Sequence, residues 1–126
     1  MQKLIKTLFL CLCLWACSDQ NVITYGESGK TKTYNVGQHF VLTLPENPTT
    51  GYVWNVQTEP SYQTAISKVS DRFIVPKTRM VGSGGTHVFV FNAISPGIAQ
   101  IKGYHARPWE QNASPEAAVE YNIIIR

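Results

Sequence analysis

The chain has 126 residues and a formal net charge of +3, which is one domain's worth of sequence once an N-terminal leader is set aside. Eleven Lys and Arg residues oppose eight Asp and Glu residues. A nucleic-acid-binding domain would need a concentrated basic surface, so no nucleic-acid partner is expected. Basic side chains cluster loosely in one place, at Lys68, Arg72, Lys77 and Arg79. We interpret this cluster as a solvated strand edge, where positive charge discourages edge-to-edge pairing.

Residues 1–16 have the features of a lipoprotein signal peptide. Lys3 and Lys6 precede an apolar run over residues 8–16, which is shorter than a membrane-spanning helix and has the proportions of a signal-peptide core. The run ends in Leu14-Trp15-Ala16-Cys17, which resembles a bacterial lipobox. This resemblance implies that Cys17 is acylated and becomes the new N-terminus. A secretory signal with another cleavage site is the alternative.

Lipidation of Cys17 has consequences for location and chemistry. It would attach the chain to the cell envelope through the lipid alone, and Ser18 in place of an aspartate favours the outer membrane. Because Cys11 and Cys13 would leave with the signal, the mature chain would have no thiol for a disulfide, a zinc site or a cysteine nucleophile. Loss of the two leader lysines would leave nine basic residues against eight acidic ones.

Beyond the leader, residues 17–32 are polar and contain Gly26 and Gly29, a composition that predicts a flexible tether. Residues 33–126 predict a single all-β domain. The alternation of apolar side chains predicts strands at 39–44, 52–57, 65–75, 87–93, 98–105 and 119–125. Several short strands in roughly a hundred residues predict a sandwich of two sheets. The expected core consists of Phe40, Leu42, Trp54, Val56, Phe89, Phe91, Ile101, Tyr121 and Ile123.

The segment Asn47-Pro48-Thr49-Thr50-Gly51-Tyr52 connects the first two predicted strands. Pro48 restricts its own φ angle and the conformation of Asn47, and Gly51 can adopt the positive φ angle that closes a tight turn. Thr49 and Thr50 are stiff β-branched residues with small hydroxyl groups. The segment is therefore either an ordinary hairpin turn or a rigid wedge with small polar side chains at its tip.

Gly82-Ser83-Gly84-Gly85 and Arg107-Pro108-Trp109 are two further loop motifs. A glycine-rich loop binds phosphate where a helix follows it, whereas a strand follows this one. It is therefore either a flexible hairpin tip or a stretch of backbone that lies flat against another protein. Pro108 excludes the third motif from a central strand. Trp109 is either packed into the core or displayed, and displayed Trp and Arg are enriched at binding hot spots.

The sequence offers few residue patterns that could support catalysis or metal binding. His39, His87 and His105 lie on three different predicted strands, without metal-ligand spacing or an adjacent carboxylate pattern. Ser83 lies between glycines, but a nucleophile elbow needs a turn from a strand into a helix. We therefore expect neither an enzyme nor a bound metal or cofactor.

In this order and at these separations, the three loop motifs resemble those of the chagasin family of cysteine peptidase inhibitors. Val36-Gly37, the Phe40-x-Leu42-x-Leu44 pattern, Trp54 and Phe89-x-Phe91 extend the resemblance over residues 36–126. The resemblance implies an immunoglobulin-like antiparallel β-sandwich with three binding loops at one end, and reversible inhibition of papain-like cysteine peptidases by a monomer. The residues that it implies for peptidase binding are Asn47, Pro48, Thr49, Thr50, Gly51, Tyr52, Gly82, Ser83, Gly84, Gly85, Arg107, Pro108 and Trp109.

The resemblance also implies roles for single residues. Residues 47–51 would enter the active-site cleft, with Thr49 expected deepest, while the other two motifs grip the sides of the cleft. The glycines would allow the backbone to approach the peptidase closely, and Trp109 is then expected on the surface as an apolar anchor. Two other classes stay open. One is an envelope module that binds protein, or carbohydrate stacked on Trp109 and Tyr104, and the other is a structural lipoprotein that uses the sandwich as a spacer.

Overall fold

The computed structural model describes residues 21–59, 65–76, 84–110 and 112–126. Within these ranges the strands are β1 (Val22–Thr24), β2 (Thr31–Tyr34), β3 (His39–Glu46), β4 (Val53–Glu59), β5 (Ile66–Ile74), β6 (Gly85–Ala93), β7 (Gly97–Ala106) and β8 (Ala117–Ile125). Single turns of 3-10 helix lie at Tyr25–Glu27 and Pro48–Thr50. In the part of the chain that is described, no helix is long and apolar enough to cross a lipid bilayer.

The strands form two four-stranded sheets, one in the order β1-β3-β6-β5 and the other in the order β2-β8-β7-β4. Each sheet turns its apolar face toward the other, and the two faces pack as a sandwich. This confirms the predicted all-β fold. The pairs β1/β3 and β2/β8 are parallel, which differs from the purely antiparallel expectation. For β1 and β3, the chain crosses to the other sheet through β2 and returns, and such a crossover permits parallel pairing.

The interior of the sandwich is the predicted one, since all the residues expected in the core are buried. Phe40 stacks on Tyr34 and on Phe91, with ring centroids 4.3 and 5.4 Å away. Leu44 and Ile125 extend the same cluster along the strands. Burying an aliphatic or aromatic side chain of this kind contributes about 1.5–3 kcal/mol, so the interior supplies the stability on which the connecting loops depend.

Residues 21–32 are part of the domain, and the expected flexible tether is wrong for this stretch. Strand β1 pairs with β3, and Ile23 at its centre is completely buried, with 0% exposure. The Tyr121 hydroxyl donates a hydrogen bond to the Thr24 carbonyl oxygen at 3.0 Å, and burial raises the pKa of Tyr121 to about 12. One buried isoleucine in a polar segment is too short a pattern to predict a strand. Residues 1–20, with the predicted signal peptide and Cys17, lie outside the described residues.

Polar contacts hold the connection between β1 and β2. Glu27 accepts hydrogen bonds from the backbone N–H and the hydroxyl of Thr24, at 3.1 and 3.2 Å, and forms an ion pair with Lys32. The hydrogen bond from Lys32, followed by the one from the Thr24 backbone, holds the pKa of Glu27 below its usual range. The Gly29 N–H donates to the Glu120 carbonyl oxygen at 2.7 Å. The segment is thus polar in composition and still tied to the second sheet.

Strand β5 is an edge strand, as the basic cluster predicted. Lys68 and Arg72 are exposed on it, and a bulge at Val69 interrupts its pairing with β6. Exposed positive charge and a bulge both hinder the addition of another strand. Lys77 and Arg79 lie outside the described residues.

Strand register brings the three loop motifs to one end of the sandwich. In the first sheet, Glu46 at the end of β3 pairs with Gly85 at the start of β6. In the second sheet, Val53 at the start of β4 pairs with Ala106 at the end of β7. The connections β3–β4, β5–β6 and β7–β8 therefore leave the two sheets at the same end.

Candidate functional site

The first loop (residues 47–52) is an exposed turn of 3-10 helix that is fixed by its own side chains. Asn47 Oδ1 accepts hydrogen bonds from the Thr49 N–H at 3.2 Å and from the Thr49 hydroxyl at 2.7 Å. The Thr50 hydroxyl donates to the Asn47 carbonyl oxygen at 2.8 Å. Gly51 closes the turn with a φ angle of 80°, as predicted. Both hydroxyl groups are engaged within the loop, which favours the rigid wedge over a pliable hairpin tip.

A buried carboxylate closes the base of the first loop. Glu46 is 7% exposed, and its Oε1 accepts a hydrogen bond from the Trp54 N–H at 2.9 Å. The Trp54 indole Nε1 in turn donates to the Pro45 carbonyl oxygen at 2.7 Å. These bonds join the residues before the loop to those after it. Trp54 is buried, as predicted, and it serves both the core and the base of the loop.

His87 lies between two carboxylates behind this base. Its Nδ1 is 3.0 Å from Glu46 Oε2, and its Nε2 is 2.7 Å from Asp71 Oδ1. Each ring nitrogen thus lies within hydrogen-bonding distance of one carboxylate oxygen. The same ring stacks on Phe89 with centroids 4.3 Å apart. These contacts connect β3, β5 and β6 close to where the first and second loops leave the sheet.

Of the second loop (residues 82–85), the structure describes Gly84 and Gly85, whereas Gly82 and Ser83 lie outside the described residues. A Cβ atom at Gly85 would lie 2.3 Å from the Ile74 carbonyl oxygen. A Cβ atom at Gly84 would lie 3.1 Å from the Glu46 carbonyl oxygen. Close packing inside the domain thus explains the glycine at position 85, and a side chain at position 84 would be tightly packed. The sequence had suggested a different reason, the close approach of another protein.

The third loop (residues 107–110) packs on the first loop. The Glu110 N–H donates to the Arg107 carbonyl oxygen at 3.1 Å and closes a turn around Pro108 and Trp109. Arg107 Nε donates to the Thr50 carbonyl oxygen at 3.1 Å. Trp109 is 67% exposed, so it is displayed as the family resemblance implied. Two motifs that are far apart in the sequence therefore form one surface.

A groove lies between the three loops. Its walls include Asn47 and Thr50 from the first loop, Gly84 from the second and Arg107 from the third. The described part of all three predicted motifs is therefore brought together. The arrangement presents an exposed, rigid turn beside a groove and a displayed tryptophan, which suits docking into a cleft of a partner protein.

The histidines have structural partners. His39 contacts the Asn92 side chain, and His105 Nδ1 lies 2.6 Å from Glu116 Oε2 while its ring stacks on Trp54 at 4.7 Å. His39, His87 and His105 lie on three separate strands, as predicted. Within the described ranges, no group of three or more His, Cys, Asp or Glu side chains is placed to hold a metal ion.

Tyr104 and Trp109, the two rings considered for stacking on carbohydrate, line different surfaces. Tyr104 lies on β7 in a shallow groove that it shares with Lys102 and Glu120. Trp109 lies against Gly51 at the loop end. The two rings thus have different neighbours, on β7 and on the third loop.

Sequence reasoning missed two features of the site. Glu46 continues the inward-facing alternation of the apolar residues on β3, and this position in the pattern was a signal for a buried carboxylate. The hydrogen bond between Arg107 and Thr50 joins residues 57 positions apart. No local pattern indicates such a contact.

The chain matches one protein family and is similar to individual named proteins. A family model described as Chagasin family peptidase inhibitor I42 matches residues 33–125. Chagasin from Trypanosoma cruzi is 30% identical over 89 residues, which cover 69% of this chain and 81% of chagasin. Amoebiasin-2 from Entamoeba histolytica is 25% identical over 118 residues, which cover 94% of this chain and 95% of amoebiasin-2.

Solved structures share the fold. A crystal structure of a cysteine protease inhibitor from Entamoeba histolytica superposes with a TM-score of 0.75 at 25% identity. The superposition covers 84% of this chain and 95% of that one. The solution structure of amebosin superposes with a TM-score of 0.67 at 24% identity and covers 83% of this chain and 96% of amebosin.

Proposed function

Because the chain belongs to the chagasin family of peptidase inhibitors, we propose that it inhibits papain-like cysteine peptidases reversibly and as a monomer. The first loop fills the active-site cleft, and the second and third loops contact the two sides of the cleft. The observation that supports this function is the joint surface of the loops, in which a rigid exposed turn lies beside Gly84, Arg107 and Trp109. Membership of a family of peptidase inhibitors agrees with the expectation that the chain is not an enzyme.

The chemistry of the proposed target explains why such a turn inhibits. A papain-like peptidase carries a thiolate–imidazolium pair at the floor of its cleft. A turn that fills this cleft without presenting a carbonyl group in near-attack geometry excludes substrate and is not itself cleaved. The hydroxyls of Thr49 and Thr50 already bond to Asn47, so the loop loses little conformational entropy on docking. Within this proposal, Thr49 is the residue that we expect deepest in the cleft.

The test is a titration of residues 21–126 against papain and a panel of cathepsins, with trypsin as the control peptidase. We expect competitive and reversible inhibition of the cysteine peptidases, and an interface of about 800 Å² per partner permits nanomolar affinity. Trypsin should be unaffected because the wedge is shaped for a different cleft. An absence of inhibition at micromolar inhibitor, or a fragment cut between Asn47 and Gly51, would refute the proposal.

We further propose that Cys17 carries the lipid anchor of a bacterial outer-membrane lipoprotein. The support is the run Leu14-Trp15-Ala16-Cys17 after a basic start. Cells that express the wild type or Cys17→Ala are labelled with a fatty-acid analogue. Label on the wild type and none on the variant is the expected result, and equal label on both would refute the anchor.

A further inference from the structure

We propose that Arg107 is a positioning residue, which fixes the third loop against the first so that both meet a peptidase as one pre-formed surface. The proposal deepens the inhibitory function above and rests on it. The part of the proposal that concerns loop geometry can be tested on the free protein, without a peptidase.

The guanidinium group of Arg107 is largely committed to contacts within its own chain. Its Nε donates to the Thr50 carbonyl oxygen at 3.1 Å, and its Nη1 lies 3.3 Å from Glu110 Oε1. Its central carbon lies over the Tyr52 ring, 4.4 Å from the ring centre, which is within cation–π distance. The side chain is 35% exposed. These contacts join Arg107 to Thr50 and Tyr52 of the first loop and to Glu110, the last residue of the third loop.

The position of Trp109 depends on the same arrangement. A Cβ atom at Gly51 would lie 2.4 Å from Trp109 Cη2, so the indole ring occupies the space that only a glycine leaves open. The Arg107 guanidinium carbon lies 5.9 Å from the centre of this ring. The cation is therefore within interaction distance of both Tyr52 and Trp109, while most of the indole surface stays exposed.

This packing has a consequence for binding. A displayed tryptophan on an independent loop would have to be ordered during docking, and that ordering weakens association. Here the Trp109 ring and the first loop are held together beforehand. We infer that Arg107 acts on inhibition chiefly through the geometry of its neighbours. Loss of a hydrogen bond from a charged donor corresponds to a roughly tenfold to hundredfold weaker inhibition constant.

The variants Arg107→Lys and Arg107→Gln distinguish positioning from a direct charge contact. Lysine keeps the positive charge but has neither the Nε donor nor the planar face that covers Tyr52. If Arg107 positions the loops, both variants lose inhibition to a similar extent. If Arg107 only offers a charge to the peptidase, the lysine variant keeps most of the inhibition. Arg126→Gln is the matched control, since it removes the same charge directly after β8, at the end of the sandwich away from the loops.

The first readout is made on the free protein. Nuclear magnetic resonance measures solvent exchange of the Gly51 and Tyr52 amides and the mobility of the Trp109 indole. We expect roughly tenfold faster exchange of these amides in both Arg107 variants, with wild-type behaviour in Arg126→Gln. Inhibition constants against papain are then measured on the same samples. Unchanged loop exchange together with full inhibition by Arg107→Lys would overturn the proposal.

A double-mutant cycle gives a second, independent readout. Tyr52→Leu removes the ring that covers the guanidinium group, and it is combined with Arg107→Gln. Residues that act through one shared arrangement are non-additive, so the combined loss should be smaller than the product of the two single losses. Multiplicative losses would mean two separate contacts with the peptidase and would contradict positioning. If even the wild type fails to inhibit papain while the variants loosen the loop, the inhibitory function falls and the positioning role stands.

Discussion

Replacing Ile23 by alanine tests whether strand β1 belongs to the folded domain. The side chain is completely buried, on a strand that pairs with residues 41–43 of β3. Truncating a buried isoleucine to alanine costs about 2–5 kcal/mol, and the cost depends on how far the site can collapse. Because β1 has three residues and lies at a sheet edge, we expect partial collapse and a loss of about 2–3 kcal/mol. The melting temperature should fall by roughly 10–20 °C.

The assay is thermal and urea denaturation of residues 21–126, followed by circular dichroism. Val22→Ala is the matched control, because this neighbour on the same strand is 40% exposed and its truncation should change stability by less than about 0.5 kcal/mol. Starting the chain at residue 33 should be more harmful than Ile23→Ala, since it also removes the acceptor of the Tyr121 hydroxyl. Equal stability of Ile23→Ala, Val22→Ala and the wild type would refute the reasoning.

Three further predictions concern single side chains. Trp54→Ala should cost about 3–5 kcal/mol of stability, whereas Trp109→Ala should leave melting within a few degrees and raise the inhibition constant roughly thirtyfold to a thousandfold; a strongly destabilised Trp109→Ala that still inhibits normally would contradict this. Gly85→Ala should destabilise the domain by about 1–3 kcal/mol, because its Cβ would collide with the neighbouring strand, and Gly26→Ala, which meets no atom within 4 Å, should be nearly neutral in the same denaturation assay. The lowered pKa of Glu27 predicts a stabilisation that is present above about pH 4.3 and is lost as the pH falls through the folded-state pKa. In a denaturation series from pH 6 to 3, Glu27→Gln should therefore lose less stability in acid than the wild type. Identical pH profiles of the two proteins would argue against this prediction.

The sandwich could be predicted because most of its strands bury one face, and apolar residues then recur at every second position in the sequence. Tyr121 and Ile123 on β8 are an example, since both are buried and alternate with residues that are exposed or half-buried. Strand β1 escaped prediction because three residues with one buried side chain carry no period. Its stability comes from partners on β3 and β8, which are distant in the sequence.

Some features of the candidate site could likewise be predicted from the sequence, and others could not. The turn at Gly51 and the display of Trp109 follow from local chemistry and from the resemblance of the motifs, and both were predicted. The burial of Glu46 and the packing around Gly85 depend on which atoms of other strands lie opposite, here the Trp54 backbone and the Ile74 carbonyl oxygen. Such contacts are set by register between strands and are not written in any local pattern.

The early start of the folded domain limits how far a lipid anchor could hold the inhibitor from a membrane. If Cys17 carries lipid, the four residues between it and Val22 span at most about 18 Å even when fully extended. An unfolded linker that extended to residue 32 would span a longer distance. Strand β1 runs parallel to β3, whose last residue leads into the first loop, so the chain enters the domain from the side opposite the loops. The sandwich would then stand close to the bilayer with its three loops directed outward. Peptidases that arrive from the surrounding medium could be captured in this orientation, whereas a peptidase embedded in the same membrane would face the wrong end of the molecule.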